Sequence, residues 1–168
     1  MFAAQVPELL ITSSCSKNFG LYRDRTGALI VCATSADKLI DIRSQLANIA
    51  RNLWSTPPDH GAAVVATILA DPELKARWAD EVEAMRLRIA QLRSGLVEAL
   101  EPHGLRERFA HIGVQRGMFS YTGLSPEQVK TLRERHSVYM VSSGRANVAG
   151  IDATRLASLA DAIADACK

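Results

Sequence analysis

The chain has 168 residues, of which 48% are hydrophobic and 23% are charged, and its mean hydropathy is close to zero. This composition is typical of a soluble globular protein and excludes an intrinsically disordered chain. A net charge of +2 provides no basic surface for nucleic acid or for an anionic membrane. The longest apolar runs also fall short of the roughly 18 residues that a membrane-spanning helix needs. We therefore expect neither a nucleic-acid partner nor a membrane.

The three cysteines, Cys15, Cys32 and Cys167, stand in unrelated contexts. An odd number of scattered cysteines favours reduced thiols over a disulfide framework. The first residues show neither the basic leader nor the small-residue cleavage site of a secretion signal. The sequence therefore predicts a cytoplasmic protein.

Residues 1–71 predict strands and helices that alternate. The apolar run Leu9–Thr12 predicts a buried strand that ends in a polar loop at Ser13–Lys17. Because this run begins so early, we expect it to belong to a larger sheet whose other strands precede Met1. The elements predicted after the loop are a buried strand over Gly27–Thr34, a helix over Ala36–Ala50 capped by Ser35, a turn over Ser55–Gly61, and a buried helix over Ala62–Ala70.

A long helix and a smaller α+β unit are predicted for the rest of the chain. Pro72 suits a first helical position, and apolar residues recur every three or four positions as far as Leu100. This pattern predicts a connecting helix over residues 72–102 and a small α+β domain over residues 103–168. The elements predicted in that domain are Phe109–Gly113, Gly117–Thr122, a helix capped at Ser125, Val138–Val141, Ala146–Val148 and a terminal helix over Asp152–Cys167.

Lys17 is the first candidate for chemistry. It follows the polar residues 14–16 directly after a predicted strand, and ligands of open α/β sheets bind beyond such strand ends. A neutral lysine amine is a nucleophile for carbonyl carbons, so a covalent bond to an aldehyde is chemically feasible. The alternative is an ordinary surface lysine, and position alone leaves both interpretations open.

Three arginines are candidates for binding anions. Arg25, helped by the hydroxyl of Ser14, has the two-pronged donor face that grips a phosphate. Its alternative is a surface ion pair with Asp24 or another nearby acidic residue. Arg145 is either a carboxylate clamp or an exposed turn residue, and Arg51 is equally ambiguous.

The remaining polar and aromatic candidates favour structural roles. The four histidines have no ligand-like spacing to one another or to the cysteines, so no metal site is predicted. We interpret Cys15 as a small buried residue, and Trp54 and Trp78 as core or interface residues.

Four segments carry a longer pattern. They are residues 14–27 (SCSKNFGLYRDRTG), 51–61 (RNLWSTPPDHG), 117–124 (GMFSYTGL) and 144–150 (GRANVAG). In this order they resemble class I aminotransferases of the aspartate and aromatic amino acid subgroup. The first segment is long and its match is highly specific.

The resemblance implies an α/β fold and a cofactor. The fold is that of the C-terminal part of the large domain of a pyridoxal-phosphate fold type I aminotransferase, followed by an α+β small domain. The cofactor is pyridoxal 5'-phosphate. Lys17 matches the lysine that binds the cofactor covalently and moves the α-proton of the substrate. Ser14 and Arg25 match residues that hold the cofactor phosphate.

The resemblance also implies the substrates, which are an amino acid and a 2-oxo acid. The amino group moves between an aromatic amino acid or aspartate and a 2-oxo acid such as 2-oxoglutarate. Arg145 matches the arginine that binds the α-carboxylate. Arg51 matches an arginine that the neighbouring subunit of a homodimer lends to the side-chain carboxylate of dicarboxylic substrates, and Ser55 lies at the same boundary.

The resemblance covers only the lysine-bearing part of the family. The residues that contact the pyridine nitrogen, the ring hydroxyl and the rest of the phosphate precede this part in the family. We therefore expect a C-terminal portion that is inactive by itself. The alternative is a truncated, non-catalytic chain that acts only as a folding or binding module.

Overall fold

The computed structural model describes residues 2–168, and the chain divides into two compact units, Met1–Asp80 and Glu81–Lys168. The first unit contains strands β1 (Leu9–Ser14) and β2 (Gly27–Cys32), helices α1 (Ala36–Trp54) and α2 (His60–Ala70), and the start of helix α3 (Pro72–Ala99). The second unit contains the rest of α3, helices α4 (Arg106–Val114), α5 (Pro126–His136) and α6 (Leu156–Ala166), and strands β3 (Phe119–Tyr121) and β4 (Arg145–Asn147).

The first unit is built on a two-stranded antiparallel sheet. β1 and β2 pair in a register that runs from Leu9↔Cys32 to Ser14↔Gly27, so the loop 15–26 leaves and re-enters the sheet at one end. The predicted cap of α1 is confirmed, because the Ser35 hydroxyl accepts a hydrogen bond from the backbone N–H of Lys38 at 3.4 Å. The helix continues past its predicted end to Trp54.

The predicted burial of this unit is wrong. Within residues 2–80, the buried residues are Ser16 and Gly61, and neither has an apolar side chain. The strands that were predicted to be buried expose Leu10 by 68% and Ile30 by 50%, and the helix over residues 62–70 is also mostly exposed. Apolar sequence produces burial only where other residues cover it, and residues 2–168 provide no such cover here.

The second unit has a hydrophobic core of its own. Its most deeply buried apolar side chains are those of Leu100, Phe109, Ile112, Leu132 and Val148. The apolar stripe predicted along α3 contributes to this core only in its C-terminal half, where Leu92 and Leu96 are buried, whereas Met85 is 47% exposed.

The short elements of the second unit follow the prediction with two differences. The Ser125 cap is confirmed as a capping box, in which Ser125 and Gln128 satisfy each other's backbone N–H groups. The short element predicted around Phe109 is a full helix, α4. Residues 138–141 were predicted as a further element of regular structure but are not a strand, because their ends form turns: the Val138 N–H donates to Leu132 O and the Gly144 N–H to Val141 O.

The structure divides the chain within α3, whereas the sequence places a connecting helix over residues 72–102 between two domains. That assignment of domains 1–71 and 103–168 stays a prediction. Within the described part of the chain, no helix combines the length and the apolar character needed to cross a membrane.

We predict that the two units respond differently to the same truncation. Leu100→Ala should lower the free energy of unfolding of the second unit by about 3 kcal/mol, because it leaves a cavity at a fully buried site. Leu53→Ala is the matched control, since Leu53 is 67% exposed, and it should change stability by less than about 0.5 kcal/mol. Hydrogen exchange of the α5 amides measures the first effect. Equal effects of the two variants would contradict this description of the core.

The contact between α5 and α6 predicts a pH dependence. His136 Nε2 lies 3.0 Å from Asp165 Oδ2, and hydrogen bonds from His136 and then Lys168 lower the pKa of the Asp165 carboxyl. The stabilisation from this carboxylate is therefore present above about pH 4 and is lost as the pH falls below it. Asp165→Asn should be less stable than the unmodified chain at pH 6, and the difference should be smaller near pH 3. Urea unfolding over this range measures the difference, and a gap that is the same at both pH values would contradict the prediction.

Candidate functional site

The loop 15–26 is closed by backbone hydrogen bonds at the end of the β1–β2 sheet. The N–H of Cys15 donates to the carbonyl of Thr26 at 3.0 Å, directly beyond the last strand pair. The N–H groups of Phe19 and Leu21 both donate to the carbonyl of Cys15 at 3.3 Å. These bonds fold residues 15–21 into a compact turn that presents Lys17. Cys15, which the sequence predicts to be buried, is only half-buried.

Two serine hydroxyls lie at the start of this loop. The backbone N–H of Ser16 donates to Ser14 Oγ at 3.2 Å, and the Ser14 hydroxyl donates to Ser16 Oγ at 3.0 Å. Ser16 is 8% exposed, while Ser14 is exposed. The backbone therefore orients the Ser14 hydroxyl, and its face toward solvent stays accessible.

Arg25 stands at the other end of the loop in a strained backbone conformation. Its φ is 53°, in the left-handed region that a non-glycine residue rarely adopts and that concentrates at functional sites. Its Nη1 donates to the carbonyl of Tyr22 at 2.7 Å. Asp24 was a possible ion-pair partner for Arg25 in the sequence. Its carboxylate instead lies 2.9 Å from His60 Nδ1.

Ser14 and Arg25 come together at a shallow pocket of about 380 Å³. Its lining residues are Thr12, Ser13, Ser14, Ser16, Arg25, Thr26, Gly27, Ala28 and Leu29. Hydroxyl groups and a guanidinium are the donors that a phosphate dianion requires. The donor set of this pocket therefore fits the phosphate of the predicted cofactor.

Lys17 follows Ser16 of this pocket in the chain and is exposed. Its Nζ is 4.1 Å from the centroid of the Tyr22 ring, a cation–π contact within the same loop. The residues after Lys17 are fixed by Trp78: its indole N–H donates to Asn18 O at 2.8 Å, and its ring stacks on Phe19 with 4.6 Å between centroids. Trp78 thus anchors the loop that carries the lysine.

The turn that begins α2 supports the Arg25 side of the loop. A Cβ added to Gly61 would overlap Thr26 Oγ1 and would lie 2.7 Å from Asp24 Cβ, so only glycine allows this close approach. Together with the contact between His60 and Asp24, this packing holds residues 24–26 in place. From the sequence, Gly61 looks like an ordinary turn residue. A proline pair followed closely by glycine was the signal available for it.

Arg51 and Ser55 lie together at the C-terminus of α1. The N–H of Ser55 donates to the carbonyl of Arg51 at 3.0 Å, and Ser55 ends the helix with a φ of 59°. Both residues are exposed, and Trp54 between them is 56% exposed. The structure therefore presents this helix end at the surface of the first unit.

Arg145 belongs to the second unit, where it begins β4. It pairs with Tyr121 of β3, and its guanidinium carbon is 5.0 Å from the centroid of the Phe119 ring. Gly144 before it has a φ of 78°, and its carbonyl accepts hydrogen bonds from the backbone and the hydroxyl of Thr122 at 2.9 and 2.8 Å. Arg145 is thus an exposed cation on a well-supported strand.

Within residues 2–168, no group of three or more His, Cys, Asp or Glu side chains is arranged to hold a metal ion.

The fold is shared with solved aminotransferases. An aromatic-amino-acid aminotransferase from Burkholderia pseudomallei, solved covalently bound to pyridoxal phosphate, matches 99% of this chain with a TM-score of 0.90 and 46% identity. A mitochondrial aspartate aminotransferase from Trypanosoma brucei also matches 99% of this chain with a TM-score of 0.90, at 42% identity. The predicted fold class, part of a fold type I aminotransferase, is confirmed.

The chain belongs to the aminotransferase class I and II family, whose model matches residues 1–163. It is 73% identical over 99% of its length to the aromatic-amino-acid aminotransferase of Pseudomonas aeruginosa. It is 46% identical over 96% of its length to the aspartate aminotransferase of Escherichia coli. The chain spans 42% of the first relative and 41% of the second.

We predict that Gly61→Ala displaces the Arg25 segment of the loop. The added methyl group must push Thr26 and Asp24 away, so the backbone amide resonances of residues 24–26 should shift. Gly113→Ala is the matched control, because a Cβ there would meet only Val97 Cγ2 at an ordinary 3.7 Å. Unchanged resonances of residues 24–26 in Gly61→Ala would contradict the supporting role of this turn.

Proposed function

We propose that the protein to which these residues belong is a pyridoxal-phosphate-dependent aminotransferase. It moves an amino group between an aromatic amino acid or aspartate and a 2-oxo acid such as 2-oxoglutarate. The observation that carries the proposal is the pocket that joins Ser14 and Arg25 at the two ends of the loop that contains Lys17. The 73% identity to an aromatic-amino-acid aminotransferase supports an aromatic amino acid as one of the substrates.

In this proposal the phosphate group occupies the pocket at the end of the sheet. The Arg25 guanidinium supplies charge, and the Ser14 hydroxyl turns its proton from Ser16 Oγ toward the anion, so that both groups donate to the dianion. The hydrogen bond from Arg25 Nη1 to Tyr22 O holds the loop in shape before the anion arrives. It does so with the φ of Arg25 in its strained region. A preorganised site loses less conformational freedom when it binds.

Lys17 binds the cofactor covalently in the resting enzyme and afterwards acts as the base. When bound, the cofactor supplies an electron sink for the negative charge that develops on the substrate's α-carbon. The amine of Lys17, once released, takes the proton from the α-carbon of the substrate and delivers it to the cofactor. Its place in a loop anchored by Trp78 supports such a fixed position.

The arginines bind the carboxylates of the substrates. Arg145 binds the α-carboxylate that every amino acid and 2-oxo acid carries, in the bidentate manner that guanidinium groups favour. Arg51 and Ser55 serve the neighbouring subunit of a homodimer, where Arg51 binds the second carboxylate of dicarboxylic substrates. The exposure of this end of α1 supports its place at a subunit boundary.

The cytoplasm is the proposed compartment. The free thiols of Cys15, Cys32 and Cys167 support this choice, because reduced cysteines persist in a reducing environment.

Amino transfer in the whole protein tests the proposed function. With an ¹⁵N-labelled aromatic amino acid and 2-oxoglutarate, label should appear in the product amino acid, with the parallel-line kinetics of a ping-pong mechanism. Lys17→Ala should lower the rate by at least about 100-fold, because the base is lost. Lys38→Ala is the control, since Lys38 is exposed on α1 and its ammonium group lies 3.7 Å from the Glu8 carboxylate. A rate in Lys17→Ala that matches the rate in Lys38→Ala would overturn the assignment of the base.

The role of Arg25 predicts a loss of phosphate recognition. Arg25→Lys should weaken binding of pyridoxal phosphate about tenfold while leaving binding of pyridoxal, which lacks the phosphate, nearly unchanged. Arg23→Lys provides the same substitution outside the pocket and should change neither affinity. If Arg25→Lys weakened both ligands equally, the phosphate would have to be placed elsewhere.

A further inference from the structure

Arg93 of α3 is a buried cation with an unusual set of partners. It is 2% exposed, and its Nη1 donates to Ile112 O at 3.0 Å and to the Ser120 hydroxyl. Its Nη2 donates to Gly117 O at 2.7 Å and to Phe119 O at 2.8 Å. All four acceptors are uncharged.

Burial of this cation lowers the stability of the folded state. A charge removed from water loses much of its hydration free energy. Hydrogen bonds to uncharged acceptors offset less of that loss than a carboxylate would. Hydrophobic residues of similar volume are often tolerated at least as well in a core. A buried arginine that bonds to three backbone carbonyls is therefore more consistent with fixing backbone geometry than with adding stability.

The backbone that Arg93 fixes is that of β3. Two of its bonds end on Phe119 and Ser120, and a third ends on Gly117 just before the strand. Arg93 reaches these residues from a helix, so it joins α3 to a strand of three residues. A strand this short has few ladder hydrogen bonds to define its position, and the guanidinium supplies additional ones.

β3 in turn supports Arg145, which begins the neighbouring strand β4. The two strands pair as Phe119↔Asn147, Ser120↔Ala146 and Tyr121↔Arg145. The ring of Phe119, whose carbonyl accepts from Arg93, also lies under the Arg145 guanidinium at 5.0 Å. Any shift of β3 therefore moves both the strand beside Arg145 and the ring against which it packs.

We infer that Arg93 is a positioning residue for Arg145: its hydrogen bonds to Phe119 and Ser120 hold β3 so that β4 and the Phe119 ring orient the Arg145 guanidinium toward a carboxylate. The inference rests on the proposed function for the role of Arg145 as the carboxylate-binding group. Arg93 itself does not contact the substrate.

Two variants test this role at different severity. Arg93→Lys keeps the charge and most of the volume but cannot reach all four acceptors. Ser120→Ala removes one acceptor and leaves the other three, so it provides a milder test if Arg93→Lys fails to fold. Val129→Ala is the control for stability alone, because Val129 is buried on α5 in the same core and does not line the cavity that contains Phe119 and Arg145.

The first measurement reads the orientation of Arg145 directly. In the 168-residue chain, the side-chain resonances of Arg145 should be shifted by the ring current of Phe119. This shift should be largely lost in Arg93→Lys, reduced in Ser120→Ala and retained in Val129→Ala. Arg145→Lys assigns the resonances, and the amide spectrum verifies that each variant is folded.

The second measurement separates positioning from stability in the whole protein. Arg93→Lys should raise KM for the amino acid about tenfold, since a misplaced carboxylate clamp weakens substrate binding. The affinity for pyridoxal phosphate should not change. Val129→Ala should lower the thermal stability and leave KM unchanged.

The outcomes distinguish this inference from the proposed function. If the Arg145 resonances are unchanged in folded Arg93→Lys and Ser120→Ala, or if Val129→Ala moves them as much, the inference is overturned even where amino transfer is intact. If the whole protein transfers no amino group, the proposed function fails. The resonances of Arg145 then still decide whether Arg93 orients it.

Discussion

The backbone hydrogen bond from Cys15 to Thr26 is the interaction on which the candidate site depends. It continues the antiparallel register of β1 and β2 and brings the two ends of the loop together. Ser14 therefore lies beside Arg25, and Lys17 lies between them along the loop. The first unit buries no apolar side chain among its described residues. Local hydrogen bonds, the Trp78 anchor and the close packing of Gly61 therefore define this site, rather than a hydrophobic core beneath it.

The predictions that succeeded are those with local physical causes. Ser35 and Ser125 begin helices because their side chains accept hydrogen bonds from the first turn, an effect that the sequence displays directly. Burial is not local. The apolar strand around Leu10 looks buried in sequence, yet whether it is covered depends on residues far from it. For the same reason, residues 138–141 have a strand-like composition but no strand partner in the described structure.

The residues of the site divide in a similar way. Lys17, Ser14 and Arg25 stand within one continuous segment, so a match in sequence was sufficient to select them. Arg93 was missed because an arginine in a charged helix resembles a solvent-exposed residue. A signal was present, since Arg93 lies four residues after Ile89 and three before Leu96, on the apolar stripe of α3. A charged residue on such a stripe indicates a buried partner set, although its identity emerges only from the fold.

The covalent attachment point of the cofactor tests the central claim most directly. The whole protein is incubated with pyridoxal phosphate, treated with borohydride to convert the bond to a stable amine, and digested for peptide mapping by mass spectrometry. The loop geometry predicts that the added mass resides on the peptide containing Lys17 and disappears in Lys17→Ala, while exposed lysines such as Lys38 and Lys130 remain unmodified. Equal labelling of several exposed lysines, or an unmodified Lys17, would contradict the account.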